Sequence, residues 1–329
     1  DCGHGVTVVF DKTGNWVGNA TCFPTAVAQA ATWNRSLIEQ TGSAIAREAI
    51  ATGSSILLAP MVNIKRSPLN GRNYEIFSED PLLTGEMATA FINGVQSEHV
   101  GAVIKAIACN NQQAFQEDLM VYVDERTLQE IYLHGFRVAI KKARPLGIMS
   151  AYNGLNGDRC SDSKHLLVDI VRKDWGYNGF IVSDWRAVKR INSLYNGLDI
   201  EMPGPGKIMT KENVLKAVNE KKLSVKELDE KVKHLLKAYV MSTLVDADKP
   251  VLNAEINSSK HQMLARKVSE EGIVLLKNKN NLLPFDFNKI KKLAVIGPNA
   301  TQARLGGGGS ASVSPFYSVS PLEMYVVIR

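Results

Sequence analysis

The chain has 329 residues, 45% of them hydrophobic, a net charge of +6 and a pI near 9.0. That length exceeds one ordinary small domain and suits a barrel plus part of a second unit, and no apolar stretch is long enough to cross a bilayer. The positive charge comes mostly from lysines in Lys207 to Lys237 and Lys289 to Lys292. The first region interleaves Lys with Glu and Asp on a helical pattern, which reads as a solvated face; nucleic acid is excluded as a partner because no aromatic–basic alternation accompanies the charge.

In chain order, Asp1-Cys2-Gly3-His4-Gly5 reads as a loop after a strand that lies upstream, with no basic-then-apolar leader visible and the compartment left open. Thr21-Cys22-Phe23-Pro24 reads as the end of a further strand. Ala26–Thr52 is helical in pattern, then Ser55–Asn63 is strand, Glu79–His99 helix, Ala102–Cys109 strand and Glu125–Ala143 helix. Leu146–Tyr152, Gly179–Asp184 and Leu198–Met202 follow as strands, separated by helical patterns at Lys164–Trp175 and Ala187–Tyr195. Asp124 and Ser163 stand where N-caps belong, and Gly53, Gly176 and Gly197 where helices stop. Helix-length crossovers between buried strands demand a parallel sheet with helices outside, hence α/β. Lys211–Leu244 is helical again and closes a first domain over 1–245. The segment 246–258, with Pro250 and two asparagines, reads as a linker. A second unit over 259–329 opens with a helix from Ser259, then Gly272–Lys277, then a strand at Leu293–Gly297.

Cys2, Cys22, Cys109 and Cys160 lack metal-ligand spacing and read as buried thiols, with a Cys2–Cys22 pair left open. No metal and no cofactor is expected. Gly306–Ser310 lacks the GxxxxGK[ST] ending of a phosphate loop and reads as a surface loop.

Ser183-Asp184-Trp185 ends the apolar run Gly179–Val182, which puts a carboxylate where barrel chemistry sits, at the C-terminal mouth. By itself an acid after a strand is more often a helix cap. It stands, however, in one ordered series with Asp1–Gly5, Val62-Asn63-Ile64-Lys65-Arg66-Ser67-Pro68, Gly71-Arg72-Asn73-Tyr74-Glu75, Phe77–Pro81, Cys109-Asn110-Asn111-Gln112, Met149–Asn153 and Leu198–Gly204. That series resembles the barrel domain of the glycoside hydrolase family 3 β-glucosidases over nearly the whole chain. The resemblance implies a (β/α)8-type TIM barrel lacking its first strand, followed by the beginning of an α/β sandwich domain. It also implies a retaining exo-β-glucosidase acting on a β-glucoside or short β-gluco-oligosaccharide.

Retention requires a carboxylate nucleophile and a second carboxyl group ~5 Å away as acid, then base. Asp184 is the nucleophile that the resemblance implies. Asp1, Arg72 and Lys105 resemble the family's contacts to sugar hydroxyls, and Tyr152 the tyrosine beside the nucleophile. Trp185 offers an apolar wall for a sugar ring, with core packing an equal alternative. A buried Lys105 needs a carboxylate or ligand close by. Glu75, Glu79 and Asp80 read as a network that pins the Arg66/Arg72 loop, His4 as orienting the Asp1 loop, and Glu201 as a pocket-floor residue outside the chemistry.

The chain departs from the family at Ala106, where a histidine is usual, and at Gln113-Ala114-Phe115-Gln116, where the family has Glu-Thr-Asn-Arg. Its entry loop reads Asp-Cys-Gly-His in place of Asp-Gly-Pro-His. The resemblance expects the acid/base glutamate from the second domain, beyond residue 329. A non-catalytic relative and a β-xylosidase-type or N-acetylglucosaminide-cleaving relative are the alternatives.

Overall fold

The computed structural model describes residues 3–6, 9–10, 16–246, 255–286 and 288–327. Asp1, Cys2 and most of the expected linker fall outside the described residues.

Four parallel strands form the central sheet in chain order: β1 (Ile56–Leu57), β2 (Gly101–Ile107), β3 (Gly147–Ser150) and β4 (Phe180–Ser183). The register pairs Ile56 with Gly101, Val103 with Gly147 and Gly147 with Phe180. A parallel bridge from Val182 to Ile200 adds a fifth rung, so Leu198–Met202 pairs at one point only and is not a full strand. Neighbours in sequence are neighbours in the sheet, as a (β/α) barrel requires.

Side-chain alternation sorts these strands into two apolar layers. Val103, Met149, Phe180 and Val182 pack together, with Ile56 and Leu58, in one small cluster. Leu57, Ala102, Ile104, Ile148 and Ile181 face the other way into the large core shared with the helices. Because both faces are covered, the strands read as continuous apolar runs.

The outer helices are α1 (Arg35–Ala51), α2 (Pro81–Ser97), α3 (His134–Ala143), α4 (His165–Asp174), α5 (Lys211–Asn219), α6 (Val225–Met241) and α7 (Ser259–Gly272). The single expected helix over 26–52 is two helices, Ala26–Ala31 and α1, broken where Trp33 takes φ 54° and Asn34 caps α1 by accepting from Leu37 N–H. A β-turn-like break of this kind carries no Gly or Pro to announce it. α1 and α2 pack almost backbone to backbone: a Cβ on Gly94 would lie 1.9 Å from the Glu39 carbonyl oxygen. α4 and the turn Leu128–Tyr132 are wound as π-helix, and of the helix expected over 187–195 only Asn192–Tyr195 forms. Thr21–Pro24 is not strand either; Phe23 N–H bonds to the His4 carbonyl, and Thr21 bonds to Glu48.

α7 docks on the barrel through its first turn. His261 Nδ1 lies 2.8 Å from the buried Glu48 carboxylate of α1, which also accepts from Thr21 N–H, the Thr21 hydroxyl and Asn257 N–H. Beyond α7 the strand expected over Leu293–Gly297 forms no ladder, and Ile296 is 90% exposed, as is Leu276 at 92%. A strand needs a partner, and apolar composition alone does not make one. No helix among the described residues is long and apolar enough to cross a membrane.

Candidate active site

Lys105 and Asp184 stand two residues beyond Val103 and Val182, so both continue the inner face of the barrel beyond its small apolar layer. Asp184 is 7% exposed, and Lys105 is buried. One Asp184 carboxylate oxygen accepts the Trp185 N–H at 2.8 Å. The Tyr152 hydroxyl stands beside the same carboxylate and favours its charged form. Burial pushes the Asp184 carboxyl above the usual aspartate range, against that N–H, the Lys105 and Arg72 charges and the Tyr152 hydroxyl, which all pull it down. Burial, followed by the neighbouring Asp184 charge, raises the Tyr152 phenol in turn. The sequence-expected Asp184, Tyr152, Lys105 and Arg72 are therefore one electrostatic unit.

Arg72 arrives on the turn Asn73–Glu75, where its guanidinium forks onto Glu75 with Nε–Oε1 at 2.7 Å and Nη2–Oε2 at 2.8 Å. This loop is bonded within itself: Asn73 donates to the Ser67 carbonyl, Arg72 N–H to Asn70, and Asn70 to Asn73. Burial raises Glu75, but the Arg72 hydrogen bonds and the Lys105, Arg72 and His4 charges outweigh it and hold the carboxyl below its usual range. Of the expected acidic network only Glu75 pins Arg72. Glu79 bonds Ser78, Asp80 caps α2 through Leu83 N–H, and Arg66 meets the Tyr132 hydroxyl. Glu79 and Asp80 sit at the N-terminus of α2, where their carboxylates serve the cap and not Arg72.

Trp185 is half-buried and packs on the inner apolar cluster beside Met202 and Ile200, while its N–H serves Asp184. Glu201 is consumed by the backbone: its oxygens accept the N–H groups of Lys207, Ile208 and Met209. Two residues that stand in the quoted motifs without an assigned role act as positioning residues. Asn63 clips the Ala106 peptide from both sides, accepting its N–H at 3.0 Å and donating to its carbonyl at 2.9 Å, which fixes the backbone next to Lys105. Ala106 itself is fully buried. Tyr74 donates to the Gly308 carbonyl at 2.6 Å and stands edge-on to His4, with ring centroids 5.7 Å apart. The loop at Gly306–Ser310 thus lies against barrel residues next to Arg72, and Ala311 and Val313 behind it join the large core.

A Cβ on Gly307 would sit 2.3 Å from Tyr74 Cε1. Gly307→Ala is expected to push the loop off the barrel at a cost of about 1–3 kcal/mol. Urea unfolding monitored by tryptophan fluorescence checks this; an unchanged midpoint would show that the loop does not rest on Tyr74.

At the other end of the barrel, a cavity of about 510 Å³ is lined by Gly101, Leu146 and Gly179, near the strand starts. It carries His99, Lys141, Arg144 and Lys237 but no carboxylate, and glycoside hydrolysis by retention cannot run there. Cys109 and Cys160 are buried thiols, Cys160 pushed up by burial to about 12. Among the described residues no cluster could hold a metal ion.

A parallel barrel sheet that ends in a buried carboxylate flanked by cations is the architecture of the barrel glycosidases. Residues 6–238 match the family model of the glycosyl hydrolase family 3 N terminal domain, and residues 273–326 match that of the C-terminal domain. The chain belongs to glycosyl hydrolase family 3. It is 44% identical over 297 residues to thermostable beta-glucosidase B of Acetivibrio thermocellus, a match covering 90% of this chain and 38% of that protein. Among solved structures, β-glucosidase 3B from Thermotoga neapolitana in complex with glucose aligns with a TM-score of 0.89 and 39% identity, covering 98% of this chain and 46% of that one. The Kluyveromyces marxianus β-glucosidase in complex with glucose aligns with a TM-score of 0.88 and 38% identity, over 98% of this chain and 39% of that one. The chain therefore spans less than half the length of these relatives. The α/β fold implied by the motifs, a TIM-type barrel followed by sandwich-domain sequence, is the fold of this family and of this chain.

Proposed function

We propose that the chain carries the nucleophile of a retaining exo-β-glucosidase, with residues 1–245 as the catalytic barrel, 246–258 as linker and 259–329 as the start of the sandwich domain. The observation that carries the reading is the buried Asp184 carboxylate, held by Trp185 N–H beside the Tyr152 hydroxyl, within the fields of Lys105 and Arg72. In this reading an Asp184 oxygen bonds to C1 of a terminal β-glucosyl residue as the bond from C1 to the leaving oxygen breaks, and water later reverses the linkage. Tyr152 and the Trp185 N–H aim the carboxylate. Arg72 and Lys105, with Asp1, take sugar hydroxyls, and Trp185 borders the ring.

Proton donation to the leaving oxygen is a separate task. Among the described residues at the site, Glu75 is tied to Arg72, and Glu117, whose charge reaches Tyr152, is paired with Lys189 at 3.0 Å. Neither is offered as the acid. The relatives reported above are named β-glucosidases, which supports a β-glucoside substrate over a β-xyloside.

The test is covalent. A 2,4-dinitrophenyl 2-deoxy-2-fluoro-β-glucoside needs little proton assistance, and its glycosyl-enzyme persists. Peptide mass spectrometry should find the adduct on Asp184. An adduct on another carboxylate would refute the assignment, and no adduct would refute the activity.

A further inference from the structure

The cavity at the strand starts lies where α2, α3, α4 and α6 all end, and the charged side chains that ring it have one sign. Lys141, Arg144 and Lys237 stand in its wall with His99, and no carboxylate joins them among the described residues that line it. Close by on the same helices, cations are matched. Lys142, next to Lys141, is paired with Glu86, and Lys233, one turn before Lys237, bonds Glu230 at 2.6 Å. Glu98, beside His99 in sequence, is taken by Arg47 and Ser43.

Helix C-termini attract cations, which accounts for a basic side chain at each helix end. It does not balance this cavity. Four ends at roughly half a negative charge each offset two of the three fixed positive charges and leave an excess of about one. The backbone points the same way: Arg144 (φ 50°) and His99 (φ 59°) hold left-handed positions where glycine is usual, so long side chains are kept at strained sites.

Lys141 and Lys237 reach from different helices onto the one loop that leads into β4. Lys141 Nζ lies 3.4 Å from the Asp174 carbonyl, and Lys237 Nζ 2.7 Å from Asn178 Oδ1. Each ammonium has three N–H donors and uses one of them there. The Arg144 guanidinium has no bonding partner among the described residues. Behind these groups the lining is apolar, with Val100, Ile140, Leu146 and Trp175 all buried.

We propose that this cavity binds a phosphate monoester of a small alcohol or phenol, with the head on Arg144, Lys141 and Lys237 and the carbon body on the apolar lining. A monoester carries about −1.5 to −2 at neutral pH and so cancels the local excess. A guanidinium and two ammoniums are the donors that phosphate oxygens favour. The volume of about 510 Å³ is that of a small-molecule site and far exceeds a bare phosphate ion. The site stands at the opposite end of the barrel from Asp184 and does not depend on the glucosidase reading.

The experiment is isothermal titration calorimetry of the 329-residue protein with phenyl phosphate at neutral pH and low salt. One-to-one binding is expected, several-fold tighter than that of inorganic phosphate. Arg144→Gln and Lys237→Gln should each weaken it about tenfold. Lys142→Gln, one residue from Lys141 but paired on the outer face, should leave it unchanged. Phenyl phosphate should also raise the thermal midpoint of the parent, and do so less in Arg144→Gln. Should Arg144→Gln fail to fold by circular dichroism, Lys237→Gln carries the comparison. No saturable heat would overturn the proposal, and so would an equal loss in Lys142→Gln, which would mean general attraction to a basic surface. Inorganic phosphate binding as tightly as phenyl phosphate would overturn it as well, leaving an adventitious ion only.

Discussion

Asp184→Asn is expected to lower turnover of an activated aryl β-glucoside by on the order of 10³-fold or more, the scale on which removal of a nucleophile acts. Asparagine keeps the side-chain oxygen that accepts Trp185 N–H, so the strand end stays in place. The same change should make the protein more stable at neutral pH. Burial raises the Asp184 carboxyl, so the folded state disfavours its charged form relative to the unfolded chain. For an acid with a raised folded value, the stabilising contribution is present below the unfolded value and is lost as pH rises through the folded one. A neutral amide removes that loss. Thermal unfolding at pH 7 should show a higher midpoint for Asp184→Asn, converging with the parent at low pH. A lower midpoint would mean that the fields of Lys105 and Arg72 outweigh the burial. Activity should carry the matching signature: the acid limb lies above the ordinary aspartate range, because the nucleophile acts only when ionised.

Glu48→Gln is expected to destabilise by about 3 kcal/mol, the order found when one member of a buried charged network is removed. With about 2–4 °C per kcal/mol for a domain of this size, the midpoint drops by roughly 6–12 °C. The carboxylate accepts from Thr21 N–H and hydroxyl, Asn257 N–H and His261, and an amide presents its NH₂ to donors where an oxygen stood. Burial raises Glu48, yet the bonds from His261, Thr21 and Asn257 bring it below the usual glutamate range. A depressed carboxyl contributes stability that is present above the unfolded value and lost as pH falls through the folded one. The parent should therefore lose stability on acidification more steeply than Glu48→Gln. Parallel pH profiles for the two proteins would show that the network is not a net stabiliser.

The fold was largely legible where burial is two-sided. Ile148, Ile181 and Ile104 sit in runs apolar on both faces, and only a covered parallel strand tolerates that. The expected strand at Leu293–Gly297 has the same composition without the same result, because pairing is decided by partners far away in sequence. Cap chemistry was legible too: Asp124 accepts from Thr127 N–H and Ser163 from Leu166 N–H, both local bonds. The break at Trp33 and the antiparallel pair Val9–Phe10 with Trp16–Val17 were not foreseen.

At the site, Asp184 was marked by its strand end. Its company of Arg72, Lys105 and Tyr152 was visible through motif resemblance alone, since no spacing relates residues on separate strands and loops. Asn63 stood in a quoted motif without a role, and Glu48 was silent. Glu48 meets Thr21 and His261 at separations of 27 and 213 residues, and each looks ordinary in its own segment. Asp1 was named from the motif and lies outside the described residues.

The loop that carries Arg72 leads further. Its guanidinium is held by a carboxylate three residues along the same turn, and the turn is laced by Asn70, Asn73 and Ser67, with Tyr74 reaching out to the Gly308 carbonyl. Such a piece behaves as a cartridge. Its cation is held by a partner within the same turn, so it can be exchanged as a unit between related barrels that keep the surface against Tyr74. Recombination between relatives should therefore find crossovers on either side of Ser67–Ile76 tolerable, and a crossover that separates Arg72 from Glu75 damaging.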